Sequence, residues 1–190
     1  MKKKIILGLT ALIVVVGVTI GGTLAFLQAT TDTKTNTFTV GNVKLGLEEY
    51  ATYTDSNTHT DFVQNQALVP GTAIAKTPIL TVTGGSEDSY VRAQIAVPAK
   101  LQGLVTFNVD TNKWELKNDG FYYLKSGKVA KNANNTVLPA LFTAVTVNKD
   151  VTAATLNALT ADDLKISVTG YAIQAAGFDN QDAAWAAFTK

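Results

Sequence analysis

The chain has no cysteine among its 190 residues, and His59 is its single histidine. Without cysteine, disulfide bonds, thiolate nucleophiles and cysteine-ligated zinc sites are excluded. One histidine cannot supply the several ligands of a zinc protease, and no Gly-x-Ser-x-Gly motif marks a hydrolase nucleophile. A glycine-rich phosphate-binding motif is also lacking. We therefore predict that the protein is not an enzyme, with no catalytic residues and no metal or cofactor.

Adjacent acidic residues occur at three places, Glu48-Glu49, Glu87-Asp88 and Asp162-Asp163. Each pair lies in or beside a predicted loop, where carboxylates are ordinarily solvated rather than held across a substrate. His59 also falls in a predicted polar loop, which favours a solvated imidazole. Calcium binding by one of the acidic loops and weak metal binding near His59 stay open as alternatives.

Positive charge is scarce beyond the first four residues. The formal net charge of +1 includes Lys2, Lys3 and Lys4, and without them 13 basic residues face 15 acidic ones, a net charge of −2. A nucleic-acid surface needs clustered positive charge. The sequence therefore predicts no nucleic-acid partner.

Residues 1–25 have the pattern of a signal peptide. Three lysines precede an apolar run from Ile5 to Ile20, and Gly21-Gly22 then interrupts the helix. This order of charge, apolar helix and helix break is what export and processing require. We expect a signal helix here and a secreted protein, found in the extracellular matrix or at the cell surface.

The predicted cleavage site follows the glycine pair. Thr23 and Ala25 are the small residues that a signal peptidase reads, so cleavage leaves Phe26 as the first mature residue. The alternative is an uncleaved anchor, because the run from Ile5 to Phe26 is long enough to cross a bilayer. Membrane contact is expected only through the uncleaved leader.

The remainder of the chain predicts a mainly β protein. Short segments with period-two alternation are separated by Gly, Pro and Asn turns, which is typical of an antiparallel β-sandwich. In residues 89–97, Val91, Ala93 and Ile95 point to one side while Tyr90 and Arg92 point to the other. The predicted strands are 43–47, 76–83, 89–97, 104–109, 114–116, 121–124, 141–147 and 164–172. We assign residues 26–40 to a mature N-terminal strand or arm and residues 41–190 to the sandwich domain.

Turns, loops and helices complete this prediction. Leu68–Thr72 contains Pro-Gly and predicts a turn, residues 50–66 are polar and predict a loop, and Gly84-Gly85 predicts a hairpin loop. One or two short helices are expected. One falls within residues 151–159, and the other follows Asp179 as N-cap.

Several motifs carry a resemblance to a known family. Gly21–Phe26 and the run from Thr35 to Val43 are similar to the leader and mature start of proteins processed by SipW-type signal peptidases. Ser86–Arg92 and the segment Tyr171–Ala175 with the following Gly-Phe and Ala-Trp are also similar. On these motifs the chain resembles the TasA and camelysin family of Gram-positive bacteria, strongly over residues 15–45 and moderately elsewhere.

This resemblance implies a jelly-roll-like sandwich that is secreted and assembles into biofilm-matrix fibres, by self-association or with related matrix subunits. It further implies that an N-terminal segment adds as a strand to the sheet of a neighbouring subunit. Carried onto this chain, the assembly strand contains Phe26, Leu27, Phe38 and Val40. An open sheet edge gains main-chain hydrogen bonds when such a strand arrives. A disordered tail, or pairing within its own domain, is the alternative for this segment.

A second function class is a monomeric surface-binding or adhesin-like module. Aromatic residues suited to its contact patch are Trp114, Phe121, Tyr122 and Tyr123. Aromatic side chains supply much of the contact energy of protein interfaces. The same residues also suit the core of a sandwich, so the sequence leaves both uses open.

Overall fold

The structure is a computed structural model that describes residues 42–55 and 58–188. Two predicted segments lie outside the described residues. One is the signal helix (1–25), whose cleavage site is formed by Thr23, Ala25 and the following Phe26. The other is the assembly arm (26–40), with Phe26, Leu27, Phe38 and Val40. The eleven strands are β1 (Leu45–Asp55), β2 (Thr58–Asp61), β3 (Ala73–Ala75), β4 (Thr77–Val82), β5 (Ser89–Ala96), β6 (Val105–Phe107), β7 (Trp114–Leu116), β8 (Tyr122–Leu124), β9 (Thr136–Val137), β10 (Ala144–Val147) and β11 (Ser167–Gln174). Two short α-helices, Ala153–Asn157 and Gln181–Ala186, and two 3₁₀ turns, Ala99–Leu101 and Asp162–Leu164, complete the described elements.

The strands form three antiparallel sheets, ordered β2-β1-β4-β9, β3-β10-β6 and β11-β5-β8-β7. The principal core lies between the third sheet and the other two, and it combines side chains of all three, among them Leu80, Val91 and Val145. This arrangement confirms the prediction of a mainly β, antiparallel sandwich with two short helices.

The first two sheets are joined by one nearly continuous strand. β3 pairs with β10, whereas β4 pairs with β1 and β9, and Lys76 stands at the change of partner. The backbone N–H of Lys76 donates to the carbonyl of Thr143 at 3.2 Å, and its ammonium meets Glu49 at 2.8 Å. Residue 76 therefore ties one sheet to the other by both its backbone and its side chain.

Trp114 is the largest side chain in the core and is 1% exposed. Its indole N–H donates to the carbonyls of Pro139 and Ala140 at 3.2 and 3.1 Å, so the buried donor is satisfied. An unpaired buried donor would cost about 1–3 kcal/mol. The segment after β9 is thus held against β7.

The predicted loop over residues 50–66 is wrong as far as Asp61. β1 continues to Asp55 and pairs with β2 in a hairpin, so His59 lies in a strand and not in a loop. All four β2 residues are exposed. A strand with no buried face shows no alternation of apolar and polar residues, and this removed the signal on which strand prediction depends.

The predicted hairpin at Gly84-Gly85 is also wrong, because β4 and β5 belong to different sheets. The loop instead touches a distant segment. A Cβ atom at Gly84 would lie 2.3 Å from the carbonyl oxygen of Ala133, so no side chain fits there. Gly85 donates its N–H to the carbonyl of Asn132 at 2.8 Å and has φ of 81°.

The turn predicted at Leu68–Thr72 is confirmed. Gly71 has φ of 77°, which a residue with a side chain rarely adopts, and Thr72 N–H donates to the carbonyl of Val69 at 3.1 Å. Proline supplies the fixed φ before the glycine.

The predicted C-terminal helix is confirmed, with its cap displaced by one residue. Asn180, and not Asp179, is the N-cap, and its side-chain oxygen accepts from the N–H of Ala183 at 3.0 Å. Asn and Asp are about equal as N-caps, so sequence alone did not separate neighbours. Leu164 lies in a 3₁₀ turn before β11 and not in the strand predicted over 164–172.

Candidate functional site

β1 and β11 each have an edge that lacks a partner strand within the described part of the chain, as do the other sheet-end strands β2, β3, β6, β7 and β9. β1 pairs with β4 through Leu45–Tyr50, but on its other edge β2 begins to pair at Tyr50. That leaves the outer edge of Leu45–Glu49 without a described neighbour. β11 pairs with β5 along Ser167–Gln174 and has no described neighbour on its other side.

These two edges are close together. β1 and β11 contact each other across the sandwich, and a Cβ at Gly170 would lie 2.8 Å from Leu45 and 2.2 Å from Leu80. Leu47 follows Leu45 at the strand period and is 36% exposed. An apolar side chain on the core side of an unpaired edge is the feature that an added strand would cover.

The β1–β2 hairpin carries a cluster of three rings. The register between the strands shifts between Tyr50 and Thr52, a bulge that places two β1 residues opposite one on β2. The rings of Tyr50 and Tyr53 lie 5.1 Å apart, and that of His59 lies 4.4 Å from Tyr50 and 6.3 Å from Tyr53.

Two carboxylates flank these rings. The hydroxyl of Tyr50 donates to Glu48 at 2.5 Å, and this hydrogen bond is the main reason that the pKa of Tyr50 rises from 10.0 to about 12. Asp61, opposite Tyr50 in the ladder, adds to the same negative field, and its side chain is 91% exposed. We call Glu48, Tyr50, Tyr53, His59 and Asp61 the acidic hairpin face.

A second aromatic cluster surrounds Arg92 on the outward side of β5. The guanidinium carbon lies 4.0 Å from the ring centre of Phe121 and 4.1 Å from that of Trp185, with Phe188 at 5.5 Å. Arg92 is 7% exposed, because the C-terminal helix covers it. The members of this Arg92 cage are Arg92, Phe121, Tyr123, Tyr171, Trp185 and Phe188.

The charge of Arg92 is balanced by Asp119. Arg92 Nη1 donates to Tyr123 Oη at 2.9 Å and lies 3.4 Å from Asp119 Oδ2, while the Tyr123 hydroxyl donates to the same carboxylate at 2.7 Å. Burial raises the pKa of Asp119, but hydrogen bonds from Tyr123 and Phe121 and the charge of Arg92 together hold that pKa below its usual 3.8. Burial and the bond to Asp119 raise the pKa of Tyr123.

The aromatic residues that the sequence offered as an exposed contact patch do not form one. Trp114 is 1% exposed, Tyr123 4% and Phe121 8%, and Tyr122 is half-buried. Trp114 belongs to the principal core, whereas Phe121 and Tyr123 belong to the Arg92 cage. The structure thus supports the core use that the sequence had left open for Trp114, Phe121 and Tyr123. Strand alternation alone does not reveal that the outward face of β5 and β8 is covered by the helix Gln181–Ala186.

The acidic pairs make ordinary structural contacts. Asp88 meets Lys128 at 2.6 Å and Glu87 meets Lys131 at 2.7 Å. Asp163 accepts from the backbone and hydroxyl of Thr160, and these bonds and Lys100 lower its pKa to about 2. Across residues 42–55 and 58–188, no three His, Asp or Glu side chains converge as a metal site would need.

None of the helices in residues 42–188 is both long enough and apolar enough to span a bilayer. Comparisons of the chain with protein-family models, curated proteins and solved structures find no match. The features of the described residues that bear on function are the open strand edges, the acidic hairpin face and the Arg92 cage.

Proposed function

We propose that the protein is a secreted structural subunit of surface or biofilm-matrix fibres, and that a strand from one subunit completes a sheet of the next. The observation that carries this proposal is the pair of neighbouring strand edges, Leu45–Glu49 and Ser167–Gln174, that lack a described partner. Natural sandwiches usually cover or charge such edges, because they recruit other strands.

The outer edge of Leu45–Glu49 is long enough to hold a short strand. Five residues of strand extend roughly 16 Å and offer alternating hydrogen-bonding positions. Leu47, 36% exposed, gives an incoming apolar side chain a contact next to the core. Main-chain hydrogen bonds to the incoming strand would supply binding affinity, and apolar contacts such as that with Leu47 would fix its register.

The incoming strand of this proposal is the arm over residues 26–40, with Phe26, Leu27, Phe38 and Val40 as its apolar side chains. Removal of the leader by a signal peptidase frees this arm only after export. Assembly is thereby delayed until subunits reach the cell surface. The partner is another copy of the chain or a related matrix subunit.

The test compares protein that begins at Phe26 with protein that begins at Phe38, by size-exclusion chromatography and electron microscopy. Fibres from the longer form alone are expected, because the shorter form lacks Phe26 and Leu27. A conservative control, Phe26→Leu, should still form fibres. Monomers from both forms would contradict self-assembly and favour a monomeric surface-binding module.

Leu47→Lys tests the accepting edge independently of the arm. A lysine at this position places a charge where the incoming strand would pack an apolar side chain, and lysines on an edge strand oppose strand addition. Fibre formation by Leu47→Lys protein is expected to fall at least tenfold, while Val63→Lys, at an exposed position outside both edges, should leave it unchanged. Equal fibre yields from the two variants would rule out the β1 edge as the acceptor.

A further inference from the structure

We infer that the acidic hairpin face binds a lysine-bearing edge of a second copy of this chain, formed by Lys113 and Lys125 at the opposite side of the sandwich. This inference deepens the proposed function, since it rests on self-association and names a second contact between subunits. The two surfaces would recognise each other by opposite charge and by attraction of lysine ammonium groups to aromatic rings.

The hairpin face has the composition of a site for a cationic side chain. Glu48 and Asp61 lie at either side of Tyr50, and no Lys or Arg pairs with either carboxylate within the described residues. The neighbouring Glu49 differs, because Lys76 already neutralises it at 2.8 Å. Rings attract a cation through their faces, and adjacent carboxylates add direct charge attraction.

The Arg92 cage shows how this chain already uses the same combination. There a guanidinium lies within 4.1 Å of two ring centres and is balanced by Asp119. The hairpin face offers rings and carboxylates, but the described residues contribute no Lys or Arg to it. A cation from outside the subunit would complete it.

The lysine-bearing edge supplies that cation. Lys113 and Lys125 are both exposed and adjacent in the β7–β8 region, where Lys125 N–H donates to the Lys113 carbonyl at 2.8 Å. Neither ammonium has a carboxylate partner among the described residues, and Lys125 Nζ reaches only the Thr111 carbonyl at 3.2 Å. The other lysines nearby, Lys117, Lys128 and Lys131, are engaged with Asp182, Asp88 and Glu87. Two acidic residues lie nearby, Glu115 on β7 and Asp110, whose carbonyl accepts from the Lys113 N–H at 3.0 Å, but neither carboxylate pairs with Lys113 or Lys125 among the described residues.

The two surfaces lie on opposite sides of the molecule. β2 ends the first sheet on the side where β1 contacts β11, whereas β7 ends the third sheet at the strand farthest from β11. A contact between unlike surfaces on opposite sides is heterologous and continues from copy to copy. The charge arrangement therefore favours head-to-tail growth over a closed dimer.

A charge exchange tests this contact in protein that begins at Phe26. Glu48→Lys with Asp61→Lys makes the hairpin basic, and Lys113→Glu with Lys125→Glu makes the edge acidic. Sedimentation velocity at low salt should show self-association weakened at least tenfold in each variant alone, because both of its surfaces then carry the same sign. An equimolar mixture of the two variants should recover association, since each unlike pair of surfaces is again complementary.

The controls separate charge matching from damage to the fold. Asp162→Lys with Lys165→Glu exchanges an exposed ion pair outside both surfaces and should leave association unchanged. The neutral variant Glu48→Gln with Asp61→Asn should give an intermediate loss. Recovery in the mixture requires folded variants, so a failure of folding cannot imitate the expected result.

The outcomes distinguish this inference from the strand proposal. With both variants folded by circular dichroism, single variants that associate as well as the unaltered protein, or a mixture that associates no better than either variant alone, would overturn the hairpin contact. Strand addition would still be supported if fibres form from protein that begins at Phe26 and not from protein that begins at Phe38. Recovery in the mixture together with fibres from protein that begins at Phe38 would support the hairpin contact and contradict strand addition. Association that increases with salt would contradict a charge-based contact of any kind.

Discussion

The chain contains two clusters that join aromatic rings to charge, and they differ in where the cation comes from. In the Arg92 cage the cation is internal, 7% exposed and covered by the C-terminal helix. In the acidic hairpin face the rings of Tyr50, Tyr53 and His59 stand beside carboxylates, His59 Nε2 lies 3.9 Å from Asp61, and no Lys or Arg among the described residues joins them. Similar residue types are therefore closed off from solvent in one cluster and left partly open to it in the other.

How deeply each cluster is buried determines how much a substitution in it should lower the free energy of unfolding. Buried charge that loses its partner is expensive, because the remaining charge cannot be solvated. Exposed groups that lose a partner are compensated by water, so their contribution to stability is small. Substitutions in the Arg92 cage should therefore lower the free energy of unfolding. Substitutions on the acidic hairpin face should leave that free energy almost unchanged and alter the charge and the side-chain pKa values of the surface.

The largest expected effect is that of Arg92→Ala. It removes the cation from five rings and leaves Asp119 without its positive partner, so the free energy of unfolding should fall by about 3 kcal/mol. Urea denaturation measures this change through the midpoint at an unchanged slope. Arg92→Lys keeps the charge but not the planar fork and should lose about half as much. A loss below about 1 kcal/mol for Arg92→Ala would show that the cage is not a stabilising core.

A smaller effect is expected of Asp119→Asn. The pKa of Asp119 is lowered in the folded state, so its carboxylate contributes stability above its unfolded value of 3.8 and this contribution disappears as the pH falls through the lower folded pKa. Since the side chain is 41% exposed, solvent screening limits the loss at pH 7 to about 1 kcal/mol. The free energies of unfolding of the two proteins should differ at pH 7, begin to approach each other as the pH falls below 3.8, and coincide below the folded pKa of Asp119. A difference that persists in acid would contradict the ionised role of Asp119.

The smallest change in stability is expected on the hairpin. Glu48→Gln removes the charged acceptor of the Tyr50 hydroxyl, so the pKa of Tyr50 should fall from about 12 toward its ordinary 10.0. The free energy of unfolding should change by less than about 0.5 kcal/mol. Alkaline titration of ring-labelled tyrosine followed by NMR measures the pKa directly. Thr54→Ala, at an exposed position in the same strand, should leave the pKa of Tyr50 unaltered.

Sequence reasoning reached the buried strands and missed the exposed ones. Ser89–Ala96 is predicted because Val91, Ala93 and Ile95 alternate with Tyr90, Arg92 and Gln94, and apolar residues at every second position are typical of a strand with one face in the core. The sequence predicts a loop where the β1–β2 hairpin stands, since no face of β2 is buried. β9 has two residues, too few for any periodicity to be read.

The Arg92 cage could be predicted in part from the sequence, and the acidic hairpin face could not. The alternation over residues 89–97 placed Arg92 on the outward side of β5, but it did not reveal the helix that covers this face. Trp185 and Phe188, three residues apart, were the available signal for an apolar helix face. No sequence pattern indicates the acidic hairpin face, because its ring contacts depend on a bulge at Ala51 that the sequence does not predict.

One feature of the fold bears on how this chain can vary. Gly84 and Ala133 meet with no space for a side chain, and the two loops are joined again by the bond from Gly85 to Asn132. A residue inserted into either loop would separate Gly84 from the carbonyl of Ala133 that it faces. Descendants of this chain can therefore lengthen either loop only by compensating in the other, and the two segments should evolve in step although fifty residues of sequence separate them.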